Sequence, residues 1–132
     1  MSKVKVLVVD DEGPIRSLLV GELESKSFEV QSAGDGDEAI ELVRAKCERD
    51  DKFDIILLDI KMPKIDGFEV LRYVKERAPE TKVIMVTAYA DVRNAVESMR
   101  LGAFDFISKP YDLDEILISM KRALGEMMPN VS

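Results

Sequence analysis

The chain has 132 residues, 46% of them hydrophobic and 34% charged, a balance that closes one globular core and does not suit a disordered segment. Its formal charge of −7 speaks against a nucleic-acid partner, since phosphate backbones demand a basic face, and suits a cation or a basic protein surface. No histidine is present and Cys47 is the only cysteine, which excludes Ser-His and Cys-His catalysis, histidine-ligated metals and an intrachain disulfide.

In chain order, short apolar runs alternate with stretches of helical period. Val4–Val9 (VKVLVV) reads as a strand, and its apolar stretch Val6–Val9 is too short for a signal peptide or a membrane span and is closed at once by acids. The expectation is a soluble cytoplasmic domain that contacts no membrane. Ile15, Leu18, Leu19 and Leu23 share one face of the helix that follows. Phe28–Ala33 (FEVQSA) alternates, as a strand at a sheet edge does. Ala39, Ile40, Val43 and Cys47 line the second helix, which makes Cys47 a core or half-buried residue and not a nucleophile.

Asp54–Leu58 (DIILL) is almost wholly apolar and predicts a central strand, followed by a helix with Phe68, Leu71, Val74 and Ala78 on its core face and Pro79 as its stop. Val83–Val86 (VIMV) is a fourth strand. Val92, Ala95, Val96 and Met99 form the expected core face of the fourth helix, and Gly102 ends it. Phe104–Ile107 is the fifth strand. In the last helix Leu113, Ile116, Leu117, Met120 and Leu124 share a face, with Asp112 as its cap and Glu115 completing a capping box. Strict alternation of strand and helix predicts an α/β domain: a parallel sheet with right-handed crossovers and helices on both faces.

In such folds the ligand site lies outside the carboxyl ends of the strands, where the strand order reverses. After the first strand stand Asp10, Asp11 and Glu12; after the third, Asp59; after the fourth, Thr87; after the fifth, Ser108, Lys109 and Pro110. Each has an ordinary reading alone: acids facing a helix dipole, a capped loop, a strand-end threonine, a salt bridge from Lys109 to Asp10 or Asp11. Their convergence from four loops favours chemistry. Three clustered carboxylates repel and call for a hard, oxygen-loving cation, for which Mg²⁺ is the natural choice. Asp59 can then act as a nucleophile toward phosphorus, with Lys109 and the Thr87 hydroxyl offsetting charge on the phosphoryl oxygens.

The stretches "VLVVDDE", "DIILLDIKMPKIDG", "VIMVTAYAD" and "GAFDFISKPYDLDEI" stand in the order and spacing of a known family. From about Lys3 to Met127 the chain resembles the CheY-like receiver domains of two-component response regulators, most of all those of NtrC-type transcription activators. The resemblance implies a doubly wound, flavodoxin-like (βα)5 fold with strand order 2-1-3-4-5. It implies Asp59 as acceptor of a phosphoryl group from the phosphohistidine of a sensor histidine kinase. Asp11 would bind Mg²⁺ directly, Asp10 mainly through water, and the main-chain carbonyl of Lys61 would be a further ligand. Thr87 and Lys109 would contact the phosphoryl group, and Phe106 would follow Thr87 as a rotamer switch, or simply fill the core. The surface of the fourth helix, fifth strand and fifth helix would then change partners: an output domain or effector protein, or a second copy in a phosphorylation-dependent homodimer. Lys61 and Tyr89 would tune phosphoryl lifetime, Asp66 and Gly67 would form a loop-to-helix start that shapes the site from outside, Met62 and Pro63 would shape the loop after Asp59, and the Lys109–Pro110 bond would often be cis.

The resemblance places the receiver at residues 1–127 and leaves 128–132 as a tail or the start of a linker to an output domain. Three other readings compete. A Mg²⁺-dependent phosphohydrolase would want an acid two residues after its nucleophile, where this chain has Lys61. A binding module that is never phosphorylated would have no need of three repelling acids. A flavin binder would want a loop rich in glycine and hydroxyls after the first strand, and here that loop is acidic.

Overall fold

The computed structural model describes residues 3–125. Ten elements alternate without exception: β1 (Lys5–Val9), α1 (Gly13–Ser25), β2 (Glu29–Ala33), α2 (Gly36–Glu48), β3 (Ile55–Leu58), α3 (Gly67–Arg77), β4 (Lys82–Thr87), α4 (Val92–Arg100), β5 (Asp105–Ser108) and α5 (Leu113–Ala123). The strands form one parallel sheet in the order β2-β1-β3-β4-β5, the doubly wound arrangement expected. The alternating strand FEVQSA does lie at an edge.

Because side chains on a strand point to opposite faces in turn, each central strand feeds two cores. Leu7, Val9, Ile56, Leu58, Val83 and Met85 meet the helices α2 and α3 on one face. Val6, Val8, Ile55, Leu57, Ile84 and Val86 meet α1 and α5 on the other. β1, β3 and β4 are therefore covered on both sides, which is why they read as unbroken apolar runs. Aspartate side chains start three of the helices by accepting a backbone N–H from three residues on, in the first turn: Asp35 from Glu38, Asp66 from Glu69 and Asp91 from Asn94. The capping box at α5 is present, with Glu115 Oε1 accepting the Asp112 N–H at 3.0 Å. Gly102 follows α4 at φ +104°, a left-handed stop that suits glycine.

Two apolar assignments are corrected. Leu18 does not join the core face of α1 but is 65% exposed, with Val20 packing inward on the same helix. The face expected to bury α4 is its solvent face: Val92, Val96 and Met99 are 78%, 60% and 49% exposed, while Ser98 is fully buried. Helical period locates an apolar stripe but not the side from which the sheet approaches. Two strand ends also move. Thr87 and Ser108 are not the first loop residues but the last strand residues, paired with each other, because a backbone ladder is indifferent to side-chain polarity. The domain end at 127 and the tail at 128–132 lie outside the described residues.

Candidate functional site

Parallel pairing of β1 with β3 puts Val9 beside Leu58, so the residues that follow, Asp10 and Asp59, emerge side by side. The ladder continues one step beyond the strands, with the Asp59 N–H donating to Val9 O at 3.0 Å and the Asp10 N–H to Ala33 O at 3.2 Å. This is where the strand order reverses, since β1 has β2 on one side and β3 on the other.

Both carboxylates are buried, Asp10 at 7% and Asp59 at 5% exposure, and each is held by a nearby amide. Asp10 Oδ1 accepts the Glu12 N–H at 2.9 Å, and Asp59 Oδ1 accepts the Ile60 N–H at 2.7 Å. Lys109 enters from the end of β5 and places Nζ 2.7 Å from Asp10 Oδ2, 3.0 Å from Asp59 Oδ2 and 3.2 Å from Glu12 Oε1. Burial of this ammonium works against its charge, and the hydrogen bonds and charges of Asp10 and Asp59 outweigh that penalty, so its pKa is raised. The salt bridge expected from Lys109 thus exists, to Asp10 and Asp59 and not to Asp11.

Asp11 is exposed and completes the cluster: one oxygen from each of Asp10, Asp11 and Asp59 lies within 4.8 Å of the others. Burial pushes the Asp11 carboxyl up, and the charges of Asp10 and Asp59 push it further. All three donors are hard oxygens. Opposed oxygens on one ion stand about 4 to 5 Å apart for Mg²⁺ or Ca²⁺, so this set is of the right size and chemistry for such a cation. A cleft of about 490 Å³ opens over it, lined by Asp11, Asp59, Lys61, Tyr89 and Lys109 among others. The Lys61 ammonium rests on the Tyr89 ring, 5.6 Å from its centre.

Thr87 and Phe106 do not line this cleft. Thr87 is fully buried at the end of β4, its Oγ1 accepting the Tyr89 N–H at 3.1 Å. Phe106 is half-buried on β5, beside Met85, and packs on the core under α2 and α3. The Lys109–Pro110 bond is cis.

Two residues, Glu12 and Arg16, gain roles that sequence pattern did not assign, and the shaping role expected of Gly67 takes a definite form. Glu12 is the third carboxylate on Lys109. Gly67 opens α3 directly against the backbone of Asp59: its N–H donates to Ile60 O at 2.7 Å, and a methyl there would overlap Asp59 O and come within 2.8 Å of Ile60 Cα. Arg16 donates from Nη1 to Asp10 O at 2.7 Å. A signal for Arg16 was present, because a cation in the opening turns of a helix opposes the dipole and needs a partner.

Residues 6–121 match the family described as the response regulator receiver domain. The chain is 40% identical over 120 residues to the regulatory protein AtoC of Escherichia coli (strain K12), which covers 91% of this chain and 25% of that protein. With the DNA-binding transcriptional regulator NtrC of the same strain it shares 36% identity over 125 residues, 95% of this chain and 26% of the relative. The chain therefore spans about a quarter of the length of these curated relatives. A solved response regulator protein from Burkholderia pseudomallei, with a phosphorylated aspartic acid, a calcium ion and citrate, superposes with a TM-score of 0.83 at 25% identity, over 99% of this chain and 74% of that one. The chain belongs to the response regulator receiver domains of two-component systems, which are signalling switches, and its relatives include regulators of the NtrC type.

Proposed function

We propose that Asp59 is the phosphoacceptor of this receiver and takes its phosphoryl group from the phosphohistidine of a sensor histidine kinase. The observation that carries the reading is the ammonium of Lys109 held between the buried carboxylates of Asp59 and Asp10. Asp59 attacks as a carboxylate, which has no proton to lose, so attack on phosphorus requires no general base. One of its oxygens, both of which accept hydrogen bonds at rest, attacks phosphorus in line as the donor's P–N bond breaks. Lys109 then transfers its hydrogen bond from the Asp59 carboxylate to a phosphoryl oxygen, where negative charge has grown. Asp11 and Asp59, with Asp10 behind them and the main-chain carbonyl of Lys61, would hold Mg²⁺. When bound, the ion offsets the charge of the acids and of the phosphoryl oxygens.

The Thr87 hydroxyl now accepts from the Tyr89 amide, and a phosphoryl oxygen offers it an acceptor to donate to instead. Movement of Thr87 would open space into which Phe106 turns, biasing the α4-β5-α5 surface toward one of two arrangements. That surface would act on an output domain or effector, most simply the transcription-activating part of an NtrC-type regulator, or on a second copy in a phosphorylation-dependent homodimer. Residues 1–127 would be the receiver and 128–132 the tail or linker, in a cytoplasmic protein whose receiver touches neither membrane nor nucleic acid.

Incubation with a small phosphodonor and Mg²⁺, read by intact-protein mass spectrometry, tests the assignment. Wild type is expected to gain one phosphoryl mass, and Asp59→Asn none. An unmodified wild type, or an Asp59→Asn protein that still gains the mass, would refute it.

A further inference from the structure

Within the acidic cluster the three carboxylates are not held alike. Asp10 is fixed by the Glu12 amide and by Lys109, and Asp59 by the Ile60 amide and by Lys109. Asp11 has no side-chain hydrogen bond or ion pair to another residue among the described residues. The direction of its carboxylate is therefore set by its own backbone, and first of all by the peptide that joins it to Asp10. The carbonyl of that peptide accepts from Arg16 Nη1 at 2.7 Å, a short bond assisted by the donor's charge.

Arg16 is itself braced. Its guanidinium lies against Gly34, where an added Cβ would sit 3.2 Å from Nη1 and 3.6 Å from Cζ. The Gly34 amide is tied to Glu38 Oε1 at 2.8 Å, and the neighbouring Ala33 carbonyl accepts the Asp10 N–H at 3.2 Å. Arg16 forms no ion pair with any carboxylate among the described residues, so this carbonyl is its polar partner, and the contact spans from the turn after β1 to the turn after β2. From this geometry, and resting on the metal-dependent reading above, we infer that Arg16 is a positioning residue that aims the Asp11 carboxylate at the divalent cation by clamping the Asp10–Asp11 peptide.

Groups that orient metal ligands from behind typically cost tenfold or more in affinity when lost. Isothermal titration of the 132-residue chain with Mg²⁺, beside thermal melts without metal, tests the role. Arg16→Ala is expected to weaken Mg²⁺ binding about tenfold, with a lowered but still cooperative metal-free melt. Arg16→Met, which keeps the packed stem and removes the donors, should match it, and Arg16→Lys should recover part of the loss. If Arg16→Ala does not fold, Arg16→Met decides. Affinity within about twofold of wild type in the folded donor-less variants would overturn the inference and leave the phosphoryl reading standing. A wild type indifferent to Mg²⁺ would defeat both.

Discussion

α3 and α4 carry similar apolar stripes and meet opposite fates. α3 turns Val70, Leu71 and Val74 wholly into the core, while α4 turns Val92, Val96 and Met99 to solvent and buries Ser98. The difference lies at their starts. Gly67 lets α3 begin in contact with the backbone of Asp59, which forces its first turn down onto the sheet beside the site. α4 is capped by Asp91 after the exposed residues Ala88, Tyr89 and Ala90, and no glycine at its start brings it against the backbone of the site. One helix is thus welded to the acidic site by its packing. The other offers an apolar face that the described residues leave uncovered, which is the condition a switch surface requires.

The comparison breaks most easily at Leu71. It is fully buried among the residues under α3, so Leu71→Ala should cost about 3 kcal/mol in a denaturant titration. A loss well under 1 kcal/mol would mean that α3 is as loosely attached as α4. Gly67→Ala comes next, at about 2 kcal/mol, because its methyl meets rigid backbone and not a yielding side chain. This variant should also slow phosphoryl uptake by Asp59, since relief of the overlap displaces the Asp59–Ile60 peptide. Normal uptake in a destabilised Gly67→Ala protein would separate the packing of α3 from the geometry of the site.

Much of this was legible in the sequence. Runs such as DIILL and VIMV mark strands buried on both faces, and the alternation of elements fixes which strand ends share an edge. Asp10, Asp11, Asp59 and Lys109 follow from that topology alone. What stayed hidden depends on rotation about an axis or on contacts of backbone with backbone. The stripe of α4 has the same period whether it faces in or out. Gly67 looks like any helix-starting glycine until Asp59 O is placed beside it, and Arg16, four residues after Glu12, reads as half of a helical ion pair but bonds a main-chain carbonyl instead. Thr87 stands at a strand end by sequence and by fold alike, but the engagement of its hydroxyl with the Tyr89 amide depends on how the loop after β4 turns.

The smallest effect is the most discriminating, because its sign differs. Val96 is 60% exposed, so trimming it to alanine removes little buried area, unlike the same kind of change at Leu71. Alanine is also the better helix former, by roughly 0.5 kcal/mol over a β-branched residue whose χ1 is restricted against the preceding turn. Val96→Ala should therefore leave stability unchanged or raise it by about that amount in a dilute denaturant titration. A loss above about 1 kcal/mol would show that the face is covered in solution. If that loss grew with protein concentration, the cover would be a second copy; if not, it would be a part of this chain, and the contrast between α3 and α4 would fall.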